Sequence, residues 1–176
     1  MKPPVNQKLI ILGLDPGTAS TGFGLIAKNK YNLELIKYGV IKTSADLALA
    51  DRLWLIHKKL TKLIKKYQPV LAACEELYFF KNAKTAINVG QARGAIILTL
   101  KKLNINTIGL TPLQIKQAVT GYGRADKKQI QKMVKLILKL KDLPTPDDAA
   151  DALAAAICLA NSANFRINQN KSSTKI

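Results

Sequence analysis

The chain has 176 residues, 48% of them apolar, which is enough for one domain with a substantial core. No stretch supplies the ~18 uncharged apolar residues of a membrane span, and the N-terminal Met-Lys-Pro-Pro-Val-Asn-Gln lacks the apolar core of a secretion signal, so the expectation is a cytoplasmic protein without a membrane. Twenty-eight Lys and Arg against 11 Asp and Glu leave +17, a surplus that points to a polyanionic partner, nucleic acid before membrane surface, with a lysine-rich solubilising surface as the plain alternative.

Residues 8–15, 21–28 and 34–42 read as three strands of an antiparallel meander, with Lys28-Asn29-Lys30 and Thr43-Ser44 as turns. From Ser44 the period changes. Leu49, Leu53, Ile56, Leu60, Leu63, Ile64 and Tyr67 recur at three and four residues with lysines between them, an amphipathic helix with Thr43 or Ser44 as N-cap and Pro69 closing it. Trp54 and His57 fall within it as packing or surface residues, and a lone histidine argues against a zinc site or a His-based nucleophile relay. Val70 to Leu77 is a short strand running into Glu75 and Glu76. Lys81-Asn82 opens a helix through Leu103, in which Gly90 and Gly94 would allow close helix packing. Asn104 to Leu110 is a fifth strand, and Thr111-Pro112 caps the short helix after it. Gly121-Tyr122-Gly123-Arg124 breaks the pattern, Asp126 starts a basic amphipathic helix ended by Leu143-Pro144-Thr145-Pro146, and Asp147 starts an alanine-rich helix through Ala160 with an N-cap role of its own. Cys74 and Cys158, each in an apolar segment, read as reduced core residues. A meander followed by alternating helices and strands argues for an α/β domain, one mixed sheet with helices on its faces. Residues 1–165 form that domain, and 166–176 read as a basic disordered tail.

With only 11 acids, their placement can be audited. Asp15 ends an apolar strand just before Pro16-Gly17, where an ion must be paired, protonated or metal-bound, unless it only shapes the turn. Glu75 or Glu76 ends another strand, and Asp148 and Asp151 lie three apart, on one face of a helix. Carboxylates held by strand ends and helix N-termini are hard ligands suited to Mg²⁺ or Mn²⁺. Two such ions ~3.5–4 Å apart would activate a water and stabilise a leaving oxygen in phosphodiester hydrolysis, with Asp15 bridging them.

These residues carry a resemblance to the RuvC family of bacterial Holliday-junction resolvases, in the ribonuclease H-like superfamily. Leu12-Gly13-Leu14-Asp15-Pro16-Gly17 with Thr21-Gly22-Phe23-Gly24, Glu75 with Tyr78-Phe79-Phe80-Lys81-Asn82, Gly90-Gln91-Ala92-Arg93-Gly94, Thr120 to Lys127, and Asp148-Ala149-Ala150-Asp151 follow in family order from about Leu9 to about Leu159. The resemblance implies a five-stranded mixed sheet with helices on both faces and a metal site of Asp15, Glu75, Asp148 and Asp151, with Glu76 facing outward. It implies two Mg²⁺ per site, with Mn²⁺ substituting, and Lys116 and Lys127 near the scissile phosphate. Tyr78 would stack on junction bases, and Phe79, Lys81, Asn82, Arg93 and Arg124 would contact DNA. It further implies a homodimer meeting near residues 90–100, 5′-phosphate and 3′-hydroxyl products, partnership with the RuvA–RuvB branch-migration complex, and work at the bacterial nucleoid. Gly17, Gly22 and Gly24 are then a tight hairpin that keeps the space beside Asp15 open to a DNA strand.

Three rivals differ in testable features. Actin-like ATPases share Asp-x-Gly-Thr but need a second phosphate loop and a longer chain. RuvC-like ribosomal-RNA nucleases lack the Gly-Tyr-Gly-Arg-Ala-Asp-Lys segment. A non-catalytic DNA-binding domain would have no need of all four placed carboxylates.

Overall fold

The computed structural model describes residues 8–30, 32–76 and 83–166, with the side chains of 83–85 and 163–166 excepted. Strand β1 (Leu9–Asp15) is apolar along its length because both of its faces are covered. Leu9 and Ile11 point to one core, while Ile10, Leu12 and Leu14 point to another. β2 (Ser20–Asn29) returns antiparallel to β1, and β3 (Asn32–Lys42) pairs antiparallel with β2 at the sheet edge. β4 (Leu71–Glu75) and β5 (Asn106–Leu110) add in parallel on the other side of β1, giving the order β3-β2-β1-β4-β5. This is the mixed five-stranded sheet expected from the sequence.

Two parallel additions require two crossovers, and helices supply them. α1 (Leu49–Tyr67) joins β3 to β4, and α2 (Ala83–Lys102) joins β4 to β5. Both cover one face, where Leu12, Leu14, Leu25, Ile56, Leu60, Ile96 and Leu100 are fully buried. α3 (Pro112–Thr120), α4 (Lys127–Ile137) and α5 (Asp147–Arg166) cover the other, around Ile11, Ile26, Val134, Leu153 and Ile157. Cys74 and Cys158 are both buried and unbridged, and they belong to opposite cores.

Thr111 caps α3 and Asp126 caps α4, each in a reciprocal box with the glutamine three residues on. The expected cap of α1 at Thr43 or Ser44 is not made. Thr43 Oγ1 donates to the Thr18 carbonyl, Ser44 Oγ donates to Asp46, and the helix starts later, behind Ala48, without a side-chain cap. Its other end closes with Gln68 in the left-handed region, its N–H on the Ile64 carbonyl, ahead of Pro69. α4 stops at Ile137, short of the prolines, with Lys139 at positive φ. Asp147 is the first residue of α5 rather than its cap, and its carboxylate accepts from Gln131 Nε2. α5 continues past Ala160 to Arg166; the rest of the expected tail, 167–176, lies outside the described residues. His57 packs against Trp54 and bonds Thr99 Oγ1 at 2.7 Å, a structural role as expected. Among the described residues, no helix is long and apolar enough to cross a membrane.

Candidate active site

Strand parity decides where the acids point. Side chains alternate across a strand, so Asp15 shares the face of Leu9, Ile11 and Gly13, and Glu75 shares that of Leu71 and Ala73. Both therefore turn toward α5, at the carboxyl ends of neighbouring parallel strands. Glu76 goes the other way: its N–H donates to the Leu110 carbonyl at 2.9 Å, and its carboxylate lies against Gly109.

α5 reaches these strand ends because the sheet beneath it carries glycine at three positions where a side chain would collide. A Cβ on Gly13 would lie 1.9 Å from the Ala152 carbonyl oxygen, and one on Gly22 1.9 Å from that of Asp148. A Cβ on Gly24 would lie 2.8 Å from Leu153. Gly22 is also the residue paired with Asp15 in the β1–β2 ladder. The expectation that Gly22 and Gly24 serve an open hairpin is thus corrected: they are the bed on which α5 lies, backbone against sheet, and they bring Asp148 beside Asp15. Gly17 does serve the turn, since a Cβ there would lie 2.2 Å from the Ser20 carbonyl oxygen, and Thr21 Oγ1 donates to the Gly17 carbonyl.

Asp148 and Asp151 occupy the first turns of α5, where the helix dipole favours negative charge. The cluster remains electrostatically uncomfortable. Burial, then Glu75, Asp151 and Asp148, push the Asp15 carboxyl from 3.8 up to about 8, while Lys127 opposes the shift. Burial and then Asp151 push Glu75 up to about 7, against Lys116 and Lys127. Burial also raises Asp151, again against Lys127. Lys127 Nζ stands 3.3 Å from both Asp151 and Asp147; burial works against its charge, but these partners outweigh it and raise its pKa. Glu75, Lys116, Lys127 and Asp151 line one cleft of about 210 Å³, floored by Ile115, Ile130 and Ala154.

Among the described residues, no three His, Cys, Asp or Glu side chains stand close enough, as oriented here, to hold a metal ion. The chemistry of the donor set still fits one. Half-buried carboxylates from three elements raise one another's pKa, and Lys127 does not relieve Asp15 or Glu75 of their shifts. A hard divalent cation on oxygen ligands would do so.

The remaining sequence candidates separate. Arg93 turns inward from α2, its Nε donating to the Glu75 carbonyl at 3.1 Å. Arg124 is exposed on the turn between α3 and α4. Tyr78, Phe79, Lys81 and Asn82 lie outside the described residues. Two contacts had no signature in the sequence: Arg93 with Glu75, and Thr18 Oγ1 donating to the Asn88 carbonyl at 2.7 Å.

The sequence model of the family described as "Crossover junction endodeoxyribonuclease RuvC" matches residues 11–159. A protein of that description from Petrotoga mobilis is 56% identical over 153 residues, covering 87% of this chain and 94% of its own length. One from Caldicellulosiruptor saccharolyticus is 54% identical over 149 residues, 84% and 90% of the two chains. Among solved structures, Thermus thermophilus RuvC in complex with a Holliday junction substrate superposes with a TM-score of 0.84 at 33% identity, covering 89% of this chain and 96% of that one. The yeast mitochondrial resolvase Ydc2 shares the fold, with a TM-score of 0.67 at 13% identity.

Proposed function

The chain belongs to the RuvC family of crossover junction endodeoxyribonucleases, and from that premise we infer that it resolves Holliday junctions at the cluster of Asp15, Glu75, Asp148 and Asp151. One observation carries this reading. Acids distant in sequence, borne by β1, β4 and α5, converge at one end of the sheet, and Lys116 and Lys127 share the cleft with two of them.

The residues divide the work as follows. The four carboxylates would hold divalent cations, Mg²⁺ with Mn²⁺ as a substitute. When bound, such cations supply a nucleophilic water at neutral pH and neutralise charge on the leaving oxygen. Lys116 and Lys127 draw the scissile phosphate into the cleft; Lys127 exchanges part of its contact with Asp151 for a phosphate oxygen. Hydrolysis breaks the bond between phosphorus and the 3′ oxygen, leaving 5′-phosphate and 3′-hydroxyl ends. The basic surplus brings the DNA and makes binding salt-dependent. Tyr78, Phe79, Lys81, Asn82 and Arg124 would serve the same DNA.

Resolution by symmetric nicks requires two such sites, and we assign the protomer contact to the outer stripe of α2. There Ile87 and Leu98 are 61% and 68% exposed and lie three helical turns apart on one face. The RuvA–RuvB complex would deliver the junction to this dimer, on chromosomal DNA in the bacterial cytoplasm.

The deciding experiment incubates the protein with a synthetic four-way junction, a linear duplex and a structured RNA under Mg²⁺. Paired symmetric nicks on the junction alone are expected, and RNA cleavage without them would assign a different substrate. Asp15→Asn should abolish junction cleavage while leaving junction binding in EDTA intact. Cleavage at the unaltered rate in that variant would overturn the site.

A further inference from the structure

The ladder between β1 and β4 ends one residue too early to hold the two acids together. Its last pair is Leu14 with Cys74; beyond it, Asp15 pairs with Gly22 on one side and Glu75 with Leu110 on the other. The strand ends that carry Asp15 and Glu75 are thus each fastened outward, away from one another. The Glu75 carbonyl is left facing β1, because the N–H of the same trans peptide, that of Glu76, is committed to β5. The next residue on the β1 side is Pro16, which has no N–H to give.

Helix α2 closes that gap. Arg93 Nε donates to the Glu75 carbonyl at 3.1 Å, beside a weaker Cys74 Sγ contact to the same oxygen at 3.8 Å, and its guanidinium also lies by that thiol. Five residues earlier on the same helix, the Asn88 carbonyl accepts from Thr18 Oγ1 at 2.7 Å, which pins the turn just after Asp15. Thr18 is buried, so water does not compete for that bond. A 20-residue helix is stiff over this distance, and both of its ties are to the chain that bears an acid. We propose that α2 is a strut that sets the separation of the Asp15 and Glu75 carboxylates, with Arg93 as a positioning residue acting through the backbone of Glu75. This rests on the four-carboxylate reading above and goes beyond it: Arg93 acts on the metal site rather than as a DNA contact.

The test uses the full chain and measures Mn²⁺ binding by calorimetry, beside junction binding in EDTA over a salt series. Arg93→Ala should weaken Mn²⁺ binding by about tenfold or more, the usual effect of losing a group that orients a metal ligand. Junction affinity in EDTA and its salt slope should stay as they were, and Arg93→Lys, which keeps a donor, should recover part of the loss. Thr18→Val, nearly the same shape, cuts the other tie and should weaken Mn²⁺ binding in the same direction; it also carries the test should Arg93→Ala fail to fold. Unchanged Mn²⁺ binding in Arg93→Ala, with or without weaker junction binding and a flatter salt slope, would overturn the strut. Asp15→Asn separates the premises: if it binds Mn²⁺ as the starting protein does, the four-carboxylate reading itself has failed.

Discussion

Asp15 is held where an ionised carboxylate is least welcome, and its protonation therefore couples to folding. Burial and then Glu75, Asp151 and Asp148 raise it from 3.8 to about 8, so the folded chain binds a proton over this interval that the unfolded chain does not. The stability this confers is complete below the unfolded value and is lost as pH rises through the folded one. Glu75, raised to about 7, acts in the same sense. In EDTA, the melting temperature should fall between about pH 5 and pH 9, and Mg²⁺ or Asp15→Asn should flatten the decline. A melting temperature in EDTA that rises over that range would contradict the mutual burial of these acids. Lys127, bridging Asp151 and Asp147, should when changed to Ala slow junction cleavage and reduce the salt slope of binding, a loss read by nicking rate and filter binding. These acids were legible in the sequence because carboxylates are scarce here and each lies at the end of an apolar strand or the start of an apolar helix. The contacts of Arg93, expected only as a DNA contact, and of Thr18 were not, since their partners lie 18 and 70 residues away and only folding reveals them.

At the scale of elements, the contact between α5 and the β1–β2 pair holds the site in shape. Gly13 meets Ala152 and Ala156, Gly22 meets Asp148 and Gly24 meets Leu153, so helix and strands approach with no strand side chain between them at these points. Gly22→Ala would press a methyl group against the Asp148 backbone, which cannot yield as a flexible side chain can. A loss of about 1–3 kcal/mol in urea unfolding is expected, together with weaker Mn²⁺ binding as Asp148 is displaced. Gly94→Ala is the contrast. Nothing in the described chain lies within 4 Å of its would-be Cβ, so no packing inside the protomer requires this glycine, which shares the exposed face of α2 with Ile87 and Leu98. In the helix interior that change should stabilise the isolated protomer by about 0.5–1 kcal/mol. Periodicity and turn residues revealed the strands and the caps of α3 and α4. The start of α1 was misread because Thr43 and Ser44 have the chemistry of caps but spend it on Thr18 and Asp46, a choice made by tertiary contacts.

For the whole molecule, the +17 surplus and the acid cluster are complementary. On the proposed reading, a basic body would collect DNA, and a cation would neutralise the clustered carboxylates at one end of the sheet before a phosphate approaches. The mixed sheet and its α/β class were readable from the order of elements. Which helices share a face was not, because hydrophobic periodicity gives each helix an inner side without saying which side of the sheet receives it. The exposed stripe of α2 supports a prediction at this scale. Leu98→Asp should shift the protein toward monomer in analytical ultracentrifugation and replace paired nicks by single ones, while Mn²⁺ binding per chain persists. A variant that still sediments as the starting protein does would place the protomer contact elsewhere.

The parity that turns Asp15 and Glu75 toward α5 also dictates how the chain can change length. One residue inserted within β1 or β4 would rotate the terminal acid to the α1–α2 face and bury it in the wrong core. Two residues would restore the face but carry the acid past the first turn of α5. The strands bearing the acids are therefore closed to insertion and deletion in either frame. An insertion between the end of β2 and the start of β3, at the end of the sheet opposite Asp15, would leave that parity untouched.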